Sequence, residues 1–262
     1  MVSLTTLVSI FIFILGLCVG SFLNVLIYRL PRSLPLTGRS FCPKCKKKIS
    51  WHDNVPLLSF LLLKGRCRAC HSHISVQYPV VELVTGVLFI WVWWWVKGWC
   101  GETLNCYIVI LLYCYIVASL VVIFFIDLKH QIIPDQIIYP AVFISFLYQI
   151  TNYQLLITNY LITAFVAAFF FLLLHLLTRG RGMGFGDVKL AFLIGLVLGF
   201  PKAILAFYLA FLTGAFVGVI LILAGKKKFG QHIAFGPYLA ASTIITLFWG
   251  EQILKWITAR FF

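Results

Sequence analysis

Residues 106–126 read CYIVILLYCYIVASLVVIFFI, and Asp127 follows directly. No charge interrupts the run. At 1.5 Å per residue it makes a helix of about 30 Å, the thickness of the hydrocarbon core of a bilayer. The sequence therefore predicts a membrane span here, closed by a carboxylate at its boundary. An ionisable group at the end of a span is a functional candidate by default, because placing it there is costly.

The same reading extends along the chain. Apolar runs of comparable length occupy about 4–28, about 79–96 with Trp91, Trp93, Trp94 and Trp95 at its end, and 106–126. Residues 136–178 read as two spans broken by the turn Thr151-Asn152-Tyr153-Gln154, and 188–224 as two broken at Gly199-Phe200-Pro201-Lys202. A last run covers about 233–250. The arm from Val188 to Phe200 is short for a full crossing. Composition agrees: 62% of residues are hydrophobic, 11% are charged and the mean hydropathy is +1.03, whereas a soluble domain is nearer half apolar and about a quarter charged. The first run is too long for a signal-peptide core and lacks a basic segment before it, so it reads as a retained span. The expected fold class is an all-α polytopic membrane protein of about eight transmembrane helices with a small zinc-bound cytoplasmic loop. The expected domains are a first helix over 1–28, a loop domain over 29–77 and a transmembrane body over 78–262.

Charge orients the chain. It holds 21 Lys+Arg against 7 Asp+Glu. Counted by alternate loops, 29–77, 127–135, 179–189 and 225–232 carry nearly all of the Lys and Arg, leaving Lys97, Lys202, Lys255 and Arg260 for the other side. Cytoplasmic loops collect Lys and Arg, so the first set is cytoplasmic and both termini lie outside. The same rule explains the positive charge without nucleic acid, which is not an expected partner. Lipid is; the oligomeric state is not specified by the sequence.

The 29–77 loop contains Cys42-Pro43-Lys44-Cys45 and Cys67-Arg68-Ala69-Cys70. Two CxxC pairs at this separation predict a structural Zn2+ held by Cys42, Cys45, Cys67 and Cys70. Lys44, Lys46, Lys47, Arg66 and Arg68 favour thiolates there, and a reducing cytoplasm disfavours disulfides. His71 and His73 are spare ligand candidates. Cys18, Cys106 and Cys114 read as small buried side chains, and Cys100 receives no role.

Seven acidic residues exist in total, among them Asp53, Glu82, Asp127, Asp135 and Asp187. Between Asp127 and Asp187 the chain crosses twice, so both carboxylates return to the cytoplasmic boundary. Two carboxylates sharing one site cannot both ionise easily; one keeps a proton and the other activates water. Gly184 and Gly186 permit close approach of backbone or substrate. Capping of the following helix is the structural alternative for Asp187, as pairing with Lys129 or Lys189 is for Asp127.

Taken together, Gly20-Ser21-Phe22-Leu23-Asn24-Val25, Tyr28-Arg29-Leu30-Pro31, Trp51, the stretch Asp53 to Ser59, Tyr78-Pro79, Val81-Glu82-Leu83, Asp127 to Asp135, Gly184-Phe185-Gly186-Asp187-Val188-Lys189 and Phe235-Gly236-Pro237-Tyr238 resemble, in order and spacing, bacterial prepilin peptidases, a family of GxGD intramembrane aspartyl proteases. The resemblance implies residence in the bacterial inner membrane, with the zinc loop and active site on the cytoplasmic side. It implies cleavage of the basic leader of type IV prepilins or pseudopilins after a glycine, with Asp127 and Asp187 catalytic and Gly184, Gly186, Lys189 and Asp135 supporting. It also implies N-methylation of the new terminus with S-adenosyl-L-methionine, for which Asn24, Asn54 and Glu82 are the candidate residues. Alternatives are the peptidase alone, a presenilin-like protease and a non-enzymatic metal transporter. A transporter would place its ionisable groups at mid-bilayer, and a presenilin-like protease would carry its first aspartate mid-span.

Overall fold

The computed structural model describes residues 4–100, 104–152, 157–180, 182–225 and 234–261. Among them are nine helices: α1 (Leu4–Arg29), α2 (Leu58–Leu62), α3 (Gln77–Cys100), α4 (Leu104–His130), α5 (Asp135–Asn152), α6 (Ile157–Leu177), α7 (Phe185–Leu198), α8 (Lys202–Leu223) and α9 (Gly236–Phe261). Arg181 and Lys226–Lys228 of the charge tally, and Tyr153–Gln154 of the predicted turn, lie outside the described residues.

Five helices, α1, α3, α4, α6 and α8, are long and apolar enough to cross a membrane. The other three long helices fall where spans are predicted but differ from them physically. Helix α5 is 18 residues long, polar at both ends and contains Pro140. Helix α9 carries Glu251, Lys255 and Arg260 in its second half. Helix α7 has only 14 residues, about 21 Å. Ten of these, from Asp187 to Leu198, are buried. A short helix can sit at membrane depth when protein, not lipid, covers it. Its turn into α8 obeys the same rule: the Asn159 side chain donates to the Phe200 carbonyl (3.2 Å) and accepts from its N–H (3.3 Å).

Two compact units divide the chain, Met1–Val122 and Ile123–Phe262. In the first, α1 packs on α3 through small residues. A Cβ at Gly16 would lie 2.8 Å from the Gly86 Cα, and one at Gly20 would lie 2.7 Å from the Glu82 Cα. Such close backbone approach is how helices associate in lipid. In the second unit α7 is central, packed by α5, α6 and α9; a Cβ at Gly195 would come within 2.5 Å of the Ala164 Cα on α6.

Two cysteine readings are corrected. Cys18 is exposed rather than buried, because α1 turns that position away from the helix it packs on. Cys106 is buried, as predicted, but it is disulfide-bonded to Cys100, with Cα atoms 5.8 Å apart. Its apolar surroundings in sequence conceal the pairing.

Candidate active site and candidate metal centre

The two cysteine pairs form two turns of the same design. In the first, Cys42 N–H donates to Lys47 O (3.0 Å), Lys46 N–H donates to Cys42 O (2.8 Å), and Phe41 bridges Lys48. In the second, Cys67 N–H donates to Ser72 O (2.9 Å), His71 N–H donates to Cys67 O (2.9 Å), and Arg66 bridges His73. Lys46 and His71 occupy equivalent positions, both with positive φ, 56° and 53°. His71 is thus a turn residue, and the cluster consists of the four cysteines.

Their sulfur atoms all lie within 4.8 Å of one another, and the group could hold a metal ion. Cys42 Sγ and Cys70 Sγ are 3.8 Å apart, which matches the edge of a tetrahedron whose metal–sulfur bonds are about 2.3 Å. The Cys45 N–H, aided by Lys44 and neighbouring thiols and opposed by burial, holds the Cys42 thiol down at about 6. For Cys45 the Lys47 N–H favours the thiolate, but burial and the thiols of Cys42 and Cys70 outweigh it and push the group up to about 11. Four such groups cannot all ionise side by side without a cation to compensate them.

Buried groups of the first unit tie this loop to its helices. Arg29, 5% exposed, donates to the carbonyls of Pro35, Thr37, Gly38 and Arg39 at 2.9, 2.7, 3.3 and 3.2 Å. Glu82 on α3 accepts the Leu57 N–H (2.9 Å), and the Asn24 amide on α1 donates to Tyr78 O (3.0 Å). Asn54 is exposed, next to Asp53, whose carboxylate grips Arg68 at 2.7 to 3.1 Å. Asn24 and Glu82 are therefore engaged in holding backbone, at separate points.

The second unit brings Asp127 and Asp187 together. Asp127 lies near the end of α4 and Asp187 in the first turn of α7; they are 5% and 6% exposed. The charge of Asp127 reaches the Asp187 carboxylate, as does that of His175. Asp187 caps its own helix, accepting the Gly184 N–H at 3.1 Å. The capping alternative is thus real, but it uses one oxygen and leaves the carboxylate within the pair.

Glycines give the site its closeness. A Cβ at Gly186 would meet Ile133 at 3.0 Å, and one at Gly236, the first residue of α9, would stand 2.6 Å from Asp127 Oδ2. The start of α9 therefore lies directly on the Asp127 carboxylate, where the positive end of a helix dipole favours an anion. His175, at the end of α6, hydrogen-bonds the Met183 carbonyl through Nδ1 (2.8 Å) and sets its ring edge-on to Phe185, 5.9 Å between centroids. It anchors the turn that presents Asp187. Asp135, at the start of α5, is ion-paired to Lys189 of α7, whose ammonium also lies over the rings of Tyr139 (5.1 Å) and Phe185 (5.3 Å). Asp135 thus has a partner of its own apart from the pair. The roles of Gly236, His175 and Arg29 were not legible in sequence. Gly236 and Arg29 lie in recognisable motifs, but only tertiary contact shows what they touch.

An all-helical chain with several candidate membrane spans, two buried carboxylates and a tetrathiol loop is the class that fold and site define. The profile of the bacterial peptidase A24 N-terminal domain matches residues 14–96, and that of the type IV leader peptidase family matches residues 114–219. The chain is 34% identical to a prepilin leader peptidase/N-methyltransferase of Aeromonas hydrophila, covering 95% of this chain and 93% of that one. It is 33% identical to one of Neisseria gonorrhoeae, covering 94% and 93%, and 35% identical to one of Vibrio cholerae serotype O1, covering 90% and 94%. No solved structure matches. The chain belongs to the prepilin leader peptidase/N-methyltransferase family, peptidase A24, and is an enzyme.

Proposed function

We propose that this enzyme removes the basic leader of type IV prepilins or pseudopilins after a glycine, at the cytoplasmic face of the inner membrane, with Asp127 and Asp187 as its catalytic pair. The observation that carries the reading is the burial of two carboxylates, on α4 and α7, within electrostatic reach of each other. Eight crossings, by α1 and α3–α9, bring both to one boundary, with the loop domain over 29–77 on the same side and the membrane body over 78–262.

The chemistry follows from the pair. One carboxylate takes a proton from water as the water oxygen attacks the scissile carbonyl carbon. The other, protonated, donates to the carbonyl oxygen. The tetrahedral intermediate collapses with cleavage of the C–N bond, and the leaving amine takes up a proton. Gly184 and Gly186 keep the approach to Asp187 narrow but free of side chains, while Lys189 and Asp135 brace α7 against α5. A pilin precursor, an apolar helix with its cut site at the membrane boundary, suits carboxylates at that depth.

For the loop we propose a structural Zn2+ on Cys42, Cys45, Cys67 and Cys70, holding together a segment too small to fold alone. Four sulfur ligands would fill a tetrahedral shell, so such an ion would serve structure and not hydrolysis. Methylation of the new N-terminus by S-adenosyl-L-methionine is supported by what the relatives are called; the residues engaged around Asn24, Asn54 and Glu82 do not define a methyl-donor pocket, and no step is assigned to them.

The test is processing of a prepilin in membranes by wild type, Asp127→Asn and Asp187→Asn, read by mass spectrometry of the mature N-terminus. Loss of cleavage in both variants, with insertion intact, is expected. Full cleavage by either sinks the pair, and a wild-type product lacking the mass of one methyl group removes the transferase.

A further inference from the structure

The sulfur atoms of the first unit show two chemistries, set at opposite ends of one helix. Just before α3, the sulfurs of Cys42, Cys45, Cys67 and Cys70 lie within 4.8 Å of one another, and none is bonded to another. At the far end Cys100, the last residue of α3, is bonded to Cys106 near the start of α4. Helix α3 has 24 residues, about 36 Å, enough to clear the hydrocarbon core. One compartment does not suit both sets. An oxidising one would join thiols as close as Cys42 and Cys70, and a reducing one would keep Cys100, which is partly exposed, and Cys106 as a dithiol.

We propose that Cys100 and Cys106 are an oxidative modification site on the extracytoplasmic face, closed by exchange with a disulfide-carrying thiol oxidoreductase. One thiolate attacks a sulfur of the oxidant's disulfide, forming a mixed disulfide and releasing a thiolate on the oxidant. The second cysteine, giving up its proton, attacks the mixed disulfide. The oxidant leaves as a dithiol, having taken two electrons and two protons, and the Cys100–Cys106 bond remains. That bond fastens the outer ends of α3 and α4 to each other. It also orients the chain by chemistry independent of its Lys and Arg. Cys106 and Asp127 stand on the same helix, 21 residues or about 31 Å apart, so sulfur outside puts Asp127 inside. The assignment rests on the proposed crossing of α3, but not on either carboxylate.

The experiment uses the full chain in sealed right-side-out and inverted membrane vesicles, prepared with free thiols alkylated. A membrane-impermeant phosphine reductant is added, and newly freed thiols are counted after denaturation by the mass shift of a maleimide polymer. Two new thiols are expected from right-side-out vesicles, none from inverted ones, and none from Cys100→Ser/Cys106→Ser in either. Two from inverted vesicles, release only after detergent, or none from wild type even when denatured and reduced, overturns the proposal. Prepilin cleavage measured in the same vesicles separates the two readings: cleavage without a disulfide leaves the proposed function standing and removes this site alone.

Discussion

The four cysteines of the loop come from two turns of identical hydrogen bonding, each closed within a few residues. Asp127 and Asp187 come from α4 and α7, with α5 and α6 between them in the chain. The thiols gather in a polar loop rich in Lys and Arg, where charge is tolerated; the carboxylates are about 95% buried, where it is not. The first arrangement could hold an ion that keeps it together. The second needs the packing of a helical body and is costly in itself, which is what makes the pair a candidate for chemistry. The largest expected effect tests that difference. Asp127→Asn and Asp187→Asn should each lower the rate of prepilin cleavage by ~10³-fold or more, since removing either half of an acid–base pair removes its joint function. The double variant should be no worse than either single one. Losses that multiply would mean two independent roles.

Gly236 sharpens the comparison next. Among the described residues no glycine lies against a loop cysteine, but one lies against Asp127: a Cβ at 236 would intrude to 2.6 Å from Oδ2. The carboxylate can swing away, so Gly236→Ala should insert and fold while cleaving ~10²-fold more slowly, the usual cost of displacing a catalytic group by about 1 Å. Unchanged kinetics would mean that α9 does not hold Asp127 in place.

These contrasts explain what could be read from the chain. A CxxC pair is a local signal, complete in four residues, so the loop cluster was legible in full. The position of Asp127 at the end of an uncharged run and of Asp187 beside two glycines marked both as candidates. Their meeting was read from two crossings between them, now α5 and α6, and that reading does not involve the short α7. Gly236 and His175 were illegible as site residues because an alignment of helix ends in space leaves no periodic trace. The disulfide was hidden for a different reason: Cys100 and Cys106 flank a short connection between apolar runs, where a cysteine is usually just a small side chain.

Removing the loop metal should have a smaller effect on hydrolysis than either carboxylate change. Cys42→Ser, or chelation of the wild type, is expected to release one metal ion per chain and to speed tryptic cutting at Lys44, Lys46 or Lys64, because binding and folding of such a loop are one equilibrium. Prepilin cleavage should fall by less than about tenfold, or about 1.4 kcal/mol of activation free energy. A loss as large as that of Asp187→Asn would mean that the peptidase site depends on the loop.

The smallest effect belongs to Asp53 and Arg68, which join the segment between the two turns to the second of them. The Arg68 hydrogen bonds, helped by charge from Arg68 and His52 and opposed by slight burial, hold the Asp53 carboxyl below the ordinary carboxylate range. A depressed value means that the contribution is complete above the ordinary value, about 3.9, and is lost as pH falls through the folded one. Amide exchange in residues 51–54 and 66–70, corrected for its intrinsic rate, should therefore show the same protection at pH 7 and pH 5. Asp53→Asn should weaken it only a few-fold at both, as expected of an exposed ion pair. Protection that falls between pH 7 and pH 5 in the wild type would locate the loop's acid sensitivity in a group other than Asp53, and a variant that loses its metal as well would show that this ion pair holds the second turn in shape for the thiols.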